Sequence, residues 1–134
     1  MSAKIRVLFV CVENSNRSQM AQAFAAMLGG DRVEALSAGS KPSGKVNPKA
    51  VAAMAELGYD LTTHASKNVS DYTGAEIDAA VTMGCGDACP LVRAKARYDW
   101  QIPDPREMPP EEFRKVRDLI GGKVRELLGE LGAV

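Results

Sequence analysis

Aromatic side chains are scarce in this 134-residue chain, which has three Phe, three Tyr, one Trp and a single histidine. Neither sign of charge is in excess, since 17 basic residues balance 17 acidic ones. A neutral total gives no long-range field to recruit nucleic acid or an anionic lipid surface, so any anion site must be local. Long apolar runs are missing too. The longest near the N-terminus, Val7 to Val12, is closed by Glu13 and Asn14, too short for a membrane span or the core of a cleavable export signal. The chain is therefore expected in the cytoplasm, with neither membrane nor nucleic acid as a partner. The three cysteines, Cys11, Cys85 and Cys89, are an odd set in a reducing compartment, which argues against a disulfide framework and for chemistry. What is present is 46% apolar and 25% charged residues, the profile of a soluble protein with one core. One domain over residues 1–134 is expected, and a monomer.

Strand and helix patterns alternate along the chain. Lys4 to Val10 is nearly continuous in apolar residues and reads as a strand buried on both faces, hence as part of a parallel sheet. Met20, Phe24, Met27 and Leu28 then recur at helical spacing up to a Gly29-Gly30 stop. Val33 to Ala38 predicts a second strand. Asn47 and Pro48 supply a cap and a first helical residue ahead of Val51, Met54 and Leu57, with Gly58 as the stop. From Tyr59 to Ile77 the pattern weakens, leaving a short helix around Asp71 to Glu76. Asp78 to Met83 predicts a third strand, and Ala96 to Ile102 a fourth at an edge, bounded by Pro103. Pro110, Glu111 and Glu112 open a long closing helix that runs through Phe113, Val116, Ile120, Val124, Leu127 and Leu131. Its charged residues between Arg114 and Glu130 read as a wet face. The alternation predicts a doubly wound α/β fold, a three-layer α/β/α arrangement around a four-stranded parallel sheet, with ligands beyond the carboxyl ends of the strands.

The segment Cys11-Val12-Glu13-Asn14-Ser15-Asn16-Arg17-Ser18 ends the first strand and opens the first helix. Such a loop aims unpaired backbone N–H groups at one spot, and the helix dipole adds positive potential there. A tetrahedral oxyanion fits that cradle. Arg17 can fork two hydrogen bonds onto the same anion, and the field favours the nucleophilic thiolate of Cys11. Asn14 is suited to a left-handed backbone conformation in the turn. Transfer chemistry also needs a proton donor for the departing oxygen. Asp104, 93 residues after Cys11 and held extended by Pro105, is the candidate. Cys85 and Cys89, four apart, would share one helical face with a rise of about 6 Å, near disulfide reach. Gly84 and Gly86 would ease the adjustment. Read as a metal pair, the two cysteines lack further ligands.

The strings CVENSNRSQMAQAF, SAG at Ser37 to Gly39, VTMGCGDACP at Val81 to Pro90 and WQIPDP at Trp100 to Pro105 resemble the low-molecular-weight tyrosine phosphatase superfamily. More narrowly they resemble its thioredoxin-coupled arsenate reductase branch, over essentially the whole chain. The resemblance implies arsenate as substrate, with phosphate or sulfate as mimics, attack by Cys11, and protonation of the leaving oxygen by Asp104. It places the family's loop arginine, loop asparagine and following serine on Arg17, Asn14 and Ser18. It also implies a relay in which Cys85 attacks the Cys11 adduct, Cys89 resolves the resulting disulfide, and thioredoxin restores the dithiol. Some family members bind potassium beside the loop; the counterparts here, Gln22 and Lys67, would set an amine against the cation. No metal and no cofactor are expected.

Several other signals have plainer readings. Gly39 to Lys45 approaches a nucleotide-binding loop, but Val46 stands where magnesium needs a hydroxyl, and Asn47-Pro48 starts the helix late. Lys41 and Lys45 then form a rim that could attract anions. His64 reads as a surface or capping residue, and Trp100 as packing beside the acid loop. Three alternatives to the relay stay open: a phosphatase on phosphotyrosine or small phosphate esters, a reductase using Cys11 with a thiol such as mycothiol, and a redox-sensing or soft-metal module. Arg106-Glu107-Met108 after the Asp-Pro pair offers no aromatic grip for a phenyl ring, which disfavours the phosphatase.

Overall fold

The computed structural model describes residues 4–11, 13–41, 43–72, 74, 76–83 and 94–132. Four strands, β1 (Ile5–Cys11), β2 (Val33–Gly39), β3 (Ile77–Thr82) and β4 (Ala94–Asp99), form one sheet in the order β2-β1-β3-β4. All three pairings are parallel. The helices are α1 (Arg17–Gly29), α2 (Pro48–Ala55) and α3 (Pro110–Glu130), with 3-10 turns at Gly30–Arg32, Leu61–Thr63 and Val69–Tyr72. No helix among the described residues is long and apolar enough to cross a membrane.

The apolar alternation in β1 explains the layering. Val7, Phe9 and Cys11 face the larger core, built with Met20, Phe24, Met54, Phe113, Ile120, Val124 and Leu128 from the three helices. Leu8 and Val10 face the other side, with Ala38, Val69, Ile77 and Ala80. A strand buried on both faces has to be central, and β1 lies between β2 and β3. The chain leaves β1 for one neighbour and later returns to its other side. The carboxyl ends of β1 and β3 therefore flank the switch point where such sheets open a crevice.

Three sequence expectations change. The fourth strand begins at Ala94 and ends at Asp99, short of Ile102, because Pro103 has no N–H for a ladder and the Ile102 carbonyl accepts from Arg17 Nη1 at 3.0 Å. The short helix expected around Asp71 to Glu76 is the earlier 3-10 turn Val69–Tyr72. The closing helix is not wet along its whole charged stretch. Arg117 is only 7% exposed, donating to the Ala53 carbonyl at 3.0 Å and to Glu56 Oε1 at 2.7 Å. Arg114 holds the other oxygen of Glu56 at 2.7 Å, so one carboxylate on the end of α2 gathers two guanidiniums of α3. Those two arginines lower the Glu56 carboxyl to about 2.

The last turn of α1 passes so close to β2 that a Cβ on Gly29 would lie 2.4 Å from Val33 Cγ2 and 2.7 Å from its Cβ. Alanine would raise helix propensity there by about 0.5–1 kcal/mol, but overpacking against a strand side chain costs about 1–3 kcal/mol. Gly29→Ala is therefore expected to be net destabilising, read as a lower urea midpoint with an unchanged m-value.

Candidate active site

Cys11 closes β1 in register with Gly39, and α1 begins six residues later at Arg17. The turn between them uses Asn14 at φ +51, the one described non-glycine residue with positive φ, as the sequence reading anticipated. Asn16, at the N-cap of α1, makes no side-chain capping bond, and the first turn holds no acid. The first N–H groups of α1 are thus left without a side-chain partner beside a positive dipole end. A pocket of about 370 Å³ opens there, lined by Cys11, Glu13, Ser15, Asn16, Arg17, Lys41, Asp104 and Arg106. Cys11 is only 3% exposed, yet it lines the pocket, so a ligand has to enter to meet its sulfur.

Behind the sulfur runs a chain of hydrogen bonds whose direction can be deduced. Asn14 Oδ1 accepts from Gln19 Nε2 at 3.0 Å and from the Lys67 N–H at 2.8 Å. Its Nδ2 therefore donates to Ser18 Oγ at 2.8 Å. Ser18, having accepted, has its own hydrogen free for Cys11 Sγ at 2.9 Å. Upstream, Gln19 Oε1 can only accept, so His64 donates to it from Nδ1 at 2.8 Å. The neutral ring then accepts the Tyr59 hydroxyl at Nε2, 2.6 Å away. Every donor points toward the sulfur, the polarity that suits a thiolate. Burial, aided by the charge of Lys67, lowers His64 to about 4 and keeps it neutral near pH 7.

Arg17 is 9% exposed and bonds the Ile102 carbonyl, which fixes its guanidinium between the pocket and the segment leading to Asp104. The exposed Asp104 carboxylate accepts the Arg106 N–H at 3.0 Å. The structure thus brings Cys11, Glu13, Ser15, Asn16, Arg17 and Asp104 around one pocket. Asn14 and Ser18 stand behind the sulfur and not in the lining. Val12, Cys85 and Cys89 lie outside the described residues.

His64 corrects an expectation. It does cap the 3-10 turn Leu61–Thr63, its N–H donating to the Leu61 carbonyl at 3.1 Å, but it is half-buried and not a surface residue, and its ring is a link in the chain to Cys11. Gln19, Tyr59 and the place of Arg106 in the lining carry no sequence motif; the spacing of Tyr59 and His64 is the one local signal of their pairing. Lys41 does reach the pocket, whereas Lys45 is not in its lining. Trp100 packs near Phe9, with ring centroids 6.0 Å apart. At the counterparts of the family's potassium ligands, Gln22 accepts from Ser37 and the Lys67 amine donates to the Ala65 carbonyl at 2.8 Å. Among the described residues no group of three or more His, Cys, Asp or Glu could hold a metal.

Two outcomes follow. A hydrogen bond to a charged partner contributes about 1.5–3 kcal/mol, so Ser18→Ala is expected to slow reaction at Cys11 about ten-fold or more at neutral pH. Thiol alkylation rates read the deficit. His64 titrates lower in the folded than in the unfolded chain, so its contribution to stability is whole above 6.5 and is lost as pH falls toward about 4. Urea unfolding across that interval should show the loss, and His64→Gln should remove part of it.

Comparison with known proteins agrees with this geometry. The family model for low molecular weight phosphotyrosine protein phosphatase matches residues 6–134. A glutaredoxin arsenate reductase of Synechocystis sp. is 35% identical over 129 residues, covering 94% of this chain and 98% of that protein. A solved arsenate reductase in the phosphate binding state superposes with a TM-score of 0.85 at 34% identity, over 94% of this chain and 98% of that one. A thioredoxin-dependent arsenate reductase of Corynebacterium glutamicum gives a TM-score of 0.79 at 32% identity, over 98% of this chain and 63% of that one. By sequence and by fold, the chain belongs to the low molecular weight phosphotyrosine protein phosphatase family, within which it is similar to the arsenate reductases.

Proposed function

We propose that this chain is a cytoplasmic, single-domain arsenate reductase that works by a three-cysteine relay. One observation carries the reading: the Cys11 sulfur accepts from Ser18 at the floor of a pocket that Arg17 and Asp104 also line. The N–H groups of the loop and the Arg17 guanidinium bind the oxyanion. Cys11 attacks arsenic, an As–S bond forms, and an arsenate hydroxyl takes the proton of the Asp104 carboxyl and leaves as water as its As–O bond breaks. Cys85 then attacks the Cys11 sulfur. The As–S bond breaks, its electron pair reduces As(V) to As(III), arsenite leaves, and a disulfide joins Cys11 to Cys85. Cys89 attacks Cys85 and frees Cys11, and an external dithiol protein reduces the disulfide left between Cys85 and Cys89.

Thioredoxin is the proposed reductant, in line with the name of the Corynebacterium glutamicum neighbour. The Synechocystis relative carries glutaredoxin in its name, and that supports a second reading in which a glutaredoxin system supplies the electrons.

The test is arsenate-dependent NADPH oxidation, run once with thioredoxin and its reductase and once with glutaredoxin, glutathione and glutathione reductase. Cys11→Ser should abolish turnover, and Asp104→Asn should lower it by about 10² or more. Cys85→Ser and Cys89→Ser should each stop sustained turnover with thioredoxin; full activity in both would remove the relay. Aryl phosphate hydrolysis with no arsenate turnover would make the chain a phosphatase.

A further inference from the structure

Two residues with no part in the relay tie the nucleophile's loop to the segment that carries the acid. Glu13 lies two positions after Cys11, Arg106 lies two positions after Asp104, and both line the pocket. Arg106 Nη1 donates to Glu13 Oε2 at 2.9 Å across 93 residues of sequence. The main chain of Arg106 is tied down as well. Its N–H donates to Asp104 Oδ1 at 3.0 Å, and its carbonyl accepts from Lys49 Nζ of α2 at 2.8 Å. On the other side of Asp104, the Ile102 carbonyl accepts from Arg17. The acid therefore sits midway along a short span that is fastened at both ends to the anion loop, by Arg17 at one end and by Glu13 at the other.

We infer that Glu13 and Arg106 are positioning residues, a latch that sets the Asp104 carboxyl over the pocket and balances charge at its mouth. The inference rests on the function proposed above and deepens it. An exposed ion pair adds little to overall stability, but a pair joining two halves of a site acts on their relative placement, to which proton transfer is sensitive. Charge sets the second effect. The Glu13 carboxylate alone would repel an incoming dianion and the Arg106 guanidinium alone would attract one; paired, they nearly cancel. Removing either partner loosens the acid, so the two losses agree in kcat. They disagree in anion affinity.

The experiment measures kcat and KM for arsenate in Arg106→Met, Glu13→Gln, the double variant and the charge swap Glu13→Arg with Arg106→Glu. Each single variant is expected to lose about ten-fold in kcat. KM should rise about three-fold in Arg106→Met and fall by a similar factor in Glu13→Gln, with both displacements shrinking in high salt. In the double variant kcat should match either single one, with KM near that of the native chain, and the swap should recover kcat above both singles. Independent, multiplying losses in kcat, or KM moving the same way in both singles, would overturn the latch.

Phosphate affinity, measured by calorimetry in a Cys11→Ser background, reads the same charge balance without redox turnover. Weaker binding on adding Arg106→Met and tighter binding on adding Glu13→Gln support the latch. The absence of opposite shifts counts against it. Arsenate inertness of the native chain with either reductant, alongside those opposite shifts, would reject the proposed reaction while leaving the latch standing.

Discussion

One buried asparagine holds the loop in shape. Asn14 takes a left-handed turn, is fully buried, and uses its amide on both sides, accepting from Gln19 and Lys67 while donating to Ser18. A left-handed conformation costs a non-glycine residue about 1–2 kcal/mol, and a buried amide without partners would cost about 1–3 kcal/mol more. Here three hydrogen bonds offset those costs and give the turn a single amide orientation. The orientation propagates: because Asn14 donates to Ser18, Ser18 can donate to the sulfur. Backbone strain, side-chain direction and the hydrogen bond at the Cys11 sulfur are thus parts of one arrangement.

The scaffold makes that arrangement stiff where it needs to be. β1 is flanked by β2 and β3 and ends in Cys11, which inherits the rigidity of the most buried strand. The carboxyl group in the same pocket belongs to a different class of structure. Asp104 lies on an irregular segment after the edge strand, with no ladder to hold it, and its position depends on side-chain contacts to the loop opposite. A sulfur on a fixed strand therefore shares its pocket with a carboxyl on an adjustable segment.

What could be read from the sequence was what depends on neighbours in the chain. The run Lys4 to Val10, the Asn47-Pro48 helix start and the turn at Asn14 are local signals, and the structure bears them out to within a residue or so. The limits of β4 could not be read that way, because the contact that draws Ile102 out of the ladder comes from Arg17, 85 residues earlier. Arg117 reads as solvated by its charge, although its spacing sets it in the apolar stripe with Phe113, Ile120 and Val124; only the docking of α2 brings Ala53 and Glu56 to it. His64 is the sharpest case. Its flanking Thr and Ser residues suggest a surface position, whereas its partner Gln19 lies 45 residues away. Pairing over such distances is decided by topology, which residue type and spacing alone do not encode.

One of the sheet's two outer strands, β4, has a consequence for life in a crowded solution. β4 alternates half-buried Ala94, Ala96 and Tyr98 with exposed Lys95, Arg97 and Asp99. A flat, greasy border would invite a second molecule to zip alongside and template fibrils. Charged groups at every other position make such stacking unfavourable, which disfavours strand-to-strand growth along this border.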